Sequence, residues 1–165
     1  GKLSTSVKVT VKNATISAKA KTKTIYTKGT KKTTISVSKT GITGTAKFTS
    51  SNKKVATVNS KGVVTAKKAG KAVITVKVGK LSKKVTIQVK APSVKLTKTS
   101  ANIKVGKTVT IKAKATPSGT VKYTSSNKKV ATVTSKGVVK GKKKGTAVIT
   151  VTCNGATAKF KVKVK

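Results

Sequence analysis

The chain has 165 residues, and its 40 basic residues are all lysine, so that the formal net charge is +40 at pH 7 in the absence of Asp, Glu and His. This composition excludes catalysis by paired carboxylates or by a Ser-His-Asp arrangement, calcium and magnesium sites, and, with one Cys, a zinc site. We therefore predict a protein that is not an enzyme and holds no metal or cofactor, since the remaining Ser–Lys pairs are numerous enough to arise by chance.

The size and the apolar residues favour two small β-rich domains. A chain of 165 residues has room for two domains near the lower end of the usual range. Most of its apolar residues are Val, Ile and Ala, which suit thin β-sheet cores better than a helical core. No run of 18 apolar residues occurs and no signal-peptide pattern opens the chain, so we expect no membrane span and, for an exported protein, a mature or trimmed form.

The first predicted element is an N-terminal strand at residues 1–12. These residues read GKLSTSVKVTVK and are similar to residues 79–90, which read GKLSKKVTIQVK. Val7, Val9 and Val11 give the segment one apolar face. Three interpretations stay open: the first strand of the domain that follows, the remnant of a preceding domain, or a strand that adds to the open edge of a neighbouring subunit. The third interpretation predicts a homo-oligomer or filament.

Residues 13–90 form the first predicted domain. Thr15–Ala20 is expected to be an edge strand, and a turn at 28–30 precedes an inner strand on which Ile35 and Val37 alternate. The further core positions share this alternation and are Val55, Val58, Val64, Ile74, Val76, Val85, Ile87 and Val89.

The second half of this domain is repeated later in the chain. Residues 47–90 recur as 122–165, at an offset of 75 residues and with about 27 of 44 positions identical. The copies share Ser-Lys-Gly hairpin turns at 60–62 and 135–137. A repeat of this length, built from short β-type runs, favours tandem domains over a solenoid of small units.

Both copies contain four motifs in the same order: an aromatic residue followed by Thr-Ser-Ser-Asn, then VATV, then Gly-Val-Val, then a glycine before an alternating strand. In the first copy they lie at 48–52, 55–58, 62–64 and 70–76. This order and spacing resemble the bacterial immunoglobulin-like domain, group 2. The resemblance implies an all-β chain of two tandem immunoglobulin-like β-sandwiches. It also implies an extracellular or surface-exposed structural module, since the family is common in bacterial surface proteins, adhesins and phage structural proteins.

The second predicted domain spans residues 91–165. The link at 90–93 contains Pro92, which cannot donate to a strand ladder, and it is short, so we expect two domains end to end with limited bending. Cys153 occupies the place of Val78 and is predicted to be a small buried hydrophobe, with a reactive or intermolecular thiol as the alternative. The core positions of this domain are Val94, Leu96, Ile103, Val109, Ile111, Tyr123, Phe160, Val162 and Val164.

The lysines lie at outward positions of the predicted strands and crowd the turns. Several turn clusters recur at the same place in both domains, and no acidic residue compensates them. A solvated surface in an A/T-rich genome is the simplest interpretation of any one cluster, but it does not account for the loss of every acid. We therefore predict a polyanion-binding surface, whose candidate residues are Lys31, Lys32, Lys53, Lys54, Lys67, Lys68, Lys128, Lys129, Lys142, Lys143 and Lys144.

Double-stranded DNA is the expected polyanion, and the binding is expected to be independent of sequence. A duplex carries a charge every ~1.7 Å of its axis, so 40 lysines nearly match the phosphates beside two sandwiches of roughly 80 Å. The chain has no Arg to read guanine, and its four aromatic residues lie at positions typical of a core. Teichoic acid, sulfated glycans or an anionic cell surface would satisfy the same electrostatics.

The residues and the resemblance together predict a secreted structural protein, extracellular or on the cell surface, that binds polyanions through lysines and forms filaments in one interpretation. The alternative is a stalk or spacer segment of a bacterial surface adhesin or of a phage structural protein. An intracellular chromosome-packaging protein fits the charge but not the resemblance.

Overall fold

A computed structural model describes residues 13–165, so the predictions made for residues 1–12 lie outside the described residues. The described residues form 17 β-strands and no helix, and thus they contain no helix that could cross a membrane. The strands pair in two separate sets, one before and one after Ala91 and Pro92, and each set forms a sandwich.

The first sandwich has two four-stranded sheets. Its strands are β1 (Thr15–Ala20), β2 (Thr24–Tyr26), β3 (Lys32–Thr40), β4 (Lys47–Ser50), β5 (Ala56–Val58), β6 (Val63–Ala66), β7 (Gly70–Val78) and β8 (Leu81–Lys90). One sheet has the order β1-β3-β6-β5, and the other has the order β2-β8-β7-β4. Neighbouring strands are antiparallel except for β2 and β8, which are parallel. The predicted edge strand is confirmed as β1.

The second sandwich repeats this plan with one interruption. Its strands are β9 (Ser93–Leu96), β10 (Ser100–Ile103), β11 (Thr108–Thr110), β12 (Ala113–Thr116), β13 (Lys122–Ser125), β14 (Ala131–Val133), β15 (Val138–Gly141), β16 (Gly145–Cys153) and β17 (Ala156–Val164). The sheet β10-β17-β16-β13 corresponds to β2-β8-β7-β4. The other sheet is divided into β11-β15-β14 and β12-β9, because the strand that corresponds to β3 is interrupted at Ile111 and Lys112.

The alternating apolar positions meet between the sheets, as predicted. In the first sandwich the predicted core residues from Val55 to Val89 are buried, except for Val58, which is partly buried against them. In the second, Ile111, Phe160, Val162 and Val164 are buried, and the remaining predicted positions pack against the core while partly exposed. The core of the second sandwich is therefore less completely covered at five positions, of which Val94, Leu96 and Val109 lie on the divided sheet.

Cys153 is confirmed as a buried residue. Its side chain is 2% exposed, and it lies at the end of β16 where the first sandwich has Val78, which is 0% exposed. A free thiol at this place fills the same space as a valine, so it contributes as a small apolar side chain.

The two sandwiches contact each other through the turn between β2 and β3. A Cβ added at Gly29 would lie 2.7 Å from Cγ of Pro117, which shows that this turn packs closely against the second sandwich. Nδ2 of Asn154 donates a hydrogen bond to the carbonyl oxygen of Pro117 at 2.9 Å. Lys28 lies against Gly155 in the same way. We refer to these five residues as the junction contact.

Candidate polyanion-binding surface

All the lysines of the described residues are exposed. The sequence contains no Asp or Glu, so these ammonium groups have no side-chain counter-ion within the chain. Like charges that lack compensation repel one another and attract any polyanion nearby. The positions of the lysines therefore decide where such a polymer would make contact.

The first pair of predicted lysines, Lys53 and Lys54, is held by a turn that the side chains of Ser50 and Asn52 organise. Oγ of Ser50 donates to the carbonyl oxygen of Ala56 at 2.7 Å. Oδ1 of Asn52 accepts hydrogen bonds from the backbone amides of Lys54, at 3.1 Å, and Val55, at 3.2 Å. Short polar side chains stabilise turns in this way, so the repeated Ser-Ser-Asn motif orders the backbone that carries the lysine pair.

The structure brings the other predicted lysines of the first sandwich to the same place. The carbonyl oxygen of Val55 accepts hydrogen bonds from the amides of Lys67, at 2.8 Å, and Lys68, at 3.2 Å. The amide of Ala66 donates to the carbonyl oxygen of Lys31 at 2.8 Å. Three segments that are distant in sequence thus meet. Their exposed side chains form the first lysine cluster, which consists of Lys31, Lys32, Lys53, Lys54, Lys67 and Lys68.

The second sandwich builds an equivalent cluster. The carbonyl oxygen of Val130 accepts hydrogen bonds from the amides of Lys142, at 2.8 Å, and Lys143, at 3.3 Å. The amide of Gly141 donates to the carbonyl oxygen of Lys107 at 3.0 Å. The second lysine cluster consists of Lys107, Lys128, Lys129, Lys142, Lys143 and Lys144.

Lys107 was not among the residues predicted from the sequence. Matching the turn at 28–30 with residues 105–107 aligns Lys31 with Thr108, whereas the backbone hydrogen bonds make Lys107 the equivalent of Lys31. The difference is one residue, and it arises because the turn before β11 is one residue shorter. An alignment of the two sandwiches that allows a gap of one residue in this turn would have matched Lys107 with Lys31.

Each cluster lies at the end of its sandwich where the last strand finishes. Gly70, just after Lys67 and Lys68, pairs with Val89, and Gly145 pairs with Val164 in the same manner. The first cluster therefore lies at the end of its sandwich from which the second sandwich continues. Strand β16 has nine residues, which at ~3.4 Å per residue span about 30 Å, so the two clusters are separated by about one sandwich.

A shallow groove borders each cluster. In the first sandwich its volume is ≈350 Å³, and Phe48, Thr49, Ser50 and Lys53 are among its walls. The equivalent groove of the second sandwich also has ≈350 Å³, and its walls include Tyr123, Thr124, Ser125 and Lys128. One lysine of each cluster, Lys53 or Lys128, thus lines a groove that also contains hydroxyl-bearing residues.

The second sandwich also presents a row of lysines on the face of a sheet. Lys159, Lys161 and Lys163 lie on the outward side of β17, which is a central strand. Alternate residues of a strand are ~7 Å apart, so the row is regular. The equivalent strand β8 has Thr86 and Gln88 at two of these places, and the row is therefore a feature of one sandwich.

The position of Tyr26 differs from the prediction. Phe160 is buried, and Phe48 and Tyr123 pack against the cores, as expected for aromatic residues in small sandwiches. Tyr26 belongs to neither core and lines a groove between the two sandwiches. The prediction that all four aromatic residues lie at core positions is wrong for Tyr26, because its strand β2 is short and Ile25 supplies the buried side chain.

The fold and the repeated basic surface define a protein of tandem immunoglobulin-like sandwiches. Residues 90–164 match the family model of the bacterial Ig-like domain (group 2), and residues 44–91 match that of the bacterial Ig-like domain. The chain belongs to the bacterial immunoglobulin-like domains, of which it carries two copies in tandem.

Three comparisons show what the chain is similar to. It is 50% identical over 56 residues to a 3-O-alpha-D-galactosyl-alpha-L-arabinofuranosidase of Bifidobacterium longum subsp. longum, a match that covers 32% of this chain and 5% of that enzyme. The S-layer protein rSbsC(31-844) has a TM-score of 0.52 and 23% identity over 92% of this chain and 28% of its own. A C-terminal fragment of intimin, in complex with the intimin-binding domain of its translocated receptor, has a TM-score of 0.44 and 19% identity over 92% and 64%. The chain thus spans a small part of the enzyme and of the S-layer protein.

Proposed function

We propose that this protein is a non-catalytic structural protein, extracellular or on the cell surface, that binds polyanions without sequence specificity, with double-stranded DNA as the expected partner. The observation that carries the proposal is the repetition of one lysine cluster in both sandwiches without a single acidic side chain. A stalk that served only as a spacer would gain nothing from this repetition, and it would bear the cost of self-repulsion.

The arrangement of the clusters supports a duplex as the partner. Backbone phosphates bind lysine as a point charge, and contacts of this kind carry no sequence information. The clusters are separated by about 30 Å or slightly more, which is comparable with the ~34–36 Å of one helical turn of duplex DNA. The spacing of the two clusters on one chain therefore suits phosphates about one helical turn apart.

The family supports a location outside the cell and a structural role. Bacterial immunoglobulin-like domains serve as building blocks of surface proteins, and the resemblance to an S-layer protein concerns the same fold. The similarity to the glycosidase covers 5% of that enzyme, and the acidic residues that hydrolysis of glycosides ordinarily requires do not occur in this sequence.

The test is the salt dependence of DNA binding. Fluorescence anisotropy should give a log affinity that falls linearly with log salt, at about −0.9 per phosphate contacted, for random and defined duplexes of equal length alike. Binding that is undetectable at low salt would support the stalk or spacer alternative. A marked preference among duplex sequences would also contradict the proposal.

We further propose that residues 1–12 link neighbouring subunits into a filament. A groove of ≈710 Å³ opens beside the interrupted strand of the second sandwich, and its walls include Ala101, Val109 and the buried ring of Phe160. Strand β11 is hydrogen-bonded to β15 alone among the described strands, so its other edge is available for pairing. A segment in which valines alternate would add main-chain hydrogen bonds and place apolar side chains in the groove.

Deletion of residues 1–12 tests this step. The truncated chain should keep both sandwiches by circular dichroism and should still bind DNA, but it should form no long filaments in electron micrographs taken with DNA present. DNA matters here because subunits at +40 repel one another until a polyanion screens them. Unfolding of the first sandwich in the truncated chain would show that the segment pairs within its own subunit, and filaments of undiminished length would exclude its role in assembly.

A further inference from the structure

A groove of ≈380 Å³ lies where the two sandwiches join. The first sandwich contributes Tyr26 and Lys90, which are neighbours because β2 and β8 pair in parallel at this position. The amide of Thr27 donates to the carbonyl oxygen of Lys90 at 3.0 Å, which holds the end of β8 against the turn. Tyr26 and Lys90 therefore line the groove from one side.

The second sandwich contributes four polar side chains from two paired strands. Lys95 of β9 lies directly opposite Lys114 of β12, and Ser93 lies opposite Thr116. All four line the groove, together with Ala91 of the link. Directly opposite residues of an antiparallel pair have Cβ atoms about 4.5–5.5 Å apart, so the two lysines are close to each other.

This juxtaposition is unfavourable for the unbound protein. Like charges that face each other across a strand pair destabilise it, and the sequence offers no acidic side chain to compensate Lys90, Lys95 and Lys114. An anion with several oxygens would turn the repulsion into three charge-assisted interactions and accept further hydrogen bonds from the hydroxyl groups. The groove thus has the charge and the donors that a phosphate group requires.

The junction contact holds the two walls in position. Gly29 packs against Pro117, which directly follows Thr116 in the wall of the groove, and Asn154 is hydrogen-bonded to Pro117. The link itself has two residues between β8 and β9, so the lysines of the two sandwiches are kept at a short separation. A site that is assembled before binding avoids the cost of ordering its parts.

We propose that this groove is a phosphate-binding site of the protein, in which Lys90, Lys95 and Lys114 hold one phosphate group of the bound polyanion between the sandwiches. The inference rests on the proposed function, because it makes the junction a third contact in addition to the two lysine clusters. It adds a defined place for a single phosphate, whereas the clusters offer exposed charges on turns.

Tyr26 provides a direct probe. The chain has two tyrosines and no tryptophan, and Tyr123→Phe places in the second sandwich the residue that the first has at Phe48. In this background the tyrosine emission comes from the groove, and titration with inorganic pyrophosphate should change it to saturation. The triple variant Lys90→Gln, Lys95→Gln, Lys114→Gln should weaken pyrophosphate binding by about tenfold or more, since it removes three charge-assisted donors.

The matched control removes the same charge elsewhere. Lys47 lies directly opposite Lys77 in β4 and β7, and Lys84 lies on the neighbouring strand β8. The variant Lys47→Gln, Lys77→Gln, Lys84→Gln should bind pyrophosphate, as measured by the emission change, with an affinity within about threefold of that of the unmodified protein. The reason is that these residues do not line the junction groove. Equal losses in the two variants would show a general effect of net charge and would overturn the site.

A duplex arm separates this inference from the proposed function. Duplex DNA should compete with pyrophosphate for the Tyr26 response in the unmodified protein. A chain that binds duplex with the expected salt dependence but shows no saturable response keeps the proposed function and loses the site. A chain that responds to pyrophosphate but binds no duplex keeps the site and loses the proposed function.

Discussion

The contact between the sandwiches can be perturbed at a single atom by Gly29→Ala. Gly29 has φ of 78°, and an added Cβ would lie 2.7 Å from Cγ of Pro117 and 2.9 Å from Nδ2 of Asn154. Carbon atoms in favourable contact are about 3.5–4.0 Å apart, so the second sandwich would have to move by about 1 Å. We expect this movement to open the contact between Gly29 and Pro117, whereas the hydrogen bond from Asn154 to Pro117 lies within the second sandwich and should remain.

Gly106→Ala is the control for the backbone. Gly106 has φ of 79°, and an added Cβ would meet nothing within 4 Å. Both substitutions therefore carry the same cost of placing an alanine at positive φ, about 1–2 kcal/mol, within their own sandwich. Since 1 kcal/mol changes the Tm of a domain of this size by about 4–8 °C, each variant should lower the Tm of one sandwich by about 4–16 °C.

The two variants should differ in the relation between the sandwiches. Small-angle scattering and residual dipolar couplings should show a changed orientation in Gly29→Ala and an unchanged one in Gly106→Ala. The Tyr26 response to pyrophosphate should weaken in Gly29→Ala alone, because the walls of the groove belong to different sandwiches. Identical scattering, couplings and responses in the two variants would refute the view that the junction contact sets the geometry.

Three further predictions concern single features of the sandwiches. The first variant replaces five lysines of the second cluster by Gln, namely Lys128, Lys129, Lys142, Lys143 and Lys144. It should keep the fold, and the salt slope of DNA binding should become less steep by up to about 4.5, at ~0.9 per phosphate. An unchanged slope in anisotropy titrations would assign the contact to the lysines of the strand faces. Cys153→Val should change the free energy of unfolding by less than about 1.5 kcal/mol, because Val78 fills the equivalent place, and a larger loss in urea titrations would contradict this equivalence. Thr33→Val should lower the free energy of unfolding by about 1 kcal/mol in the same assay, because Oγ1 of buried Thr33 accepts a hydrogen bond from the amide of Thr22 at 3.0 Å. Unchanged stability would show that water replaces this bond.

The alternating pattern of apolar residues was sufficient to predict the sandwiches and most of their cores. In a strand, side chains alternate between two faces, so a run such as Ile74 and Val76 identifies its buried face without any tertiary information. The exposure of the lysines follows from the same physics, because an ammonium group without a partner is too costly to bury. The repetition of 47–90 then doubled the evidence for every element it contains.

Other local features gave incomplete information. The second sandwich interrupts its strand at Ile111 and Lys112, although these residues alternate in the same way as Ile35 and Ser36 in the continuous β3. Tyr26 follows a buried isoleucine in a strand of three residues, and its place outside the core depends on how that strand pairs with β8. Both outcomes depend on neighbouring strands that lie far away in the sequence.

The candidate sites were decided by tertiary structure in the same way. The sequence predicted lysines at turns, but Lys31, Lys53 and Lys67 belong to one cluster only because backbone hydrogen bonds join residues 31 with 66 and 55 with 67. The junction groove needs the register that places Lys95 opposite Lys114 and the contact that holds Lys90 beside them. Periodicity along a strand determines which face a side chain occupies. Which residues meet across strands is determined by non-local pairing, and a local pattern does not specify that pairing because the same alternation is compatible with several registers.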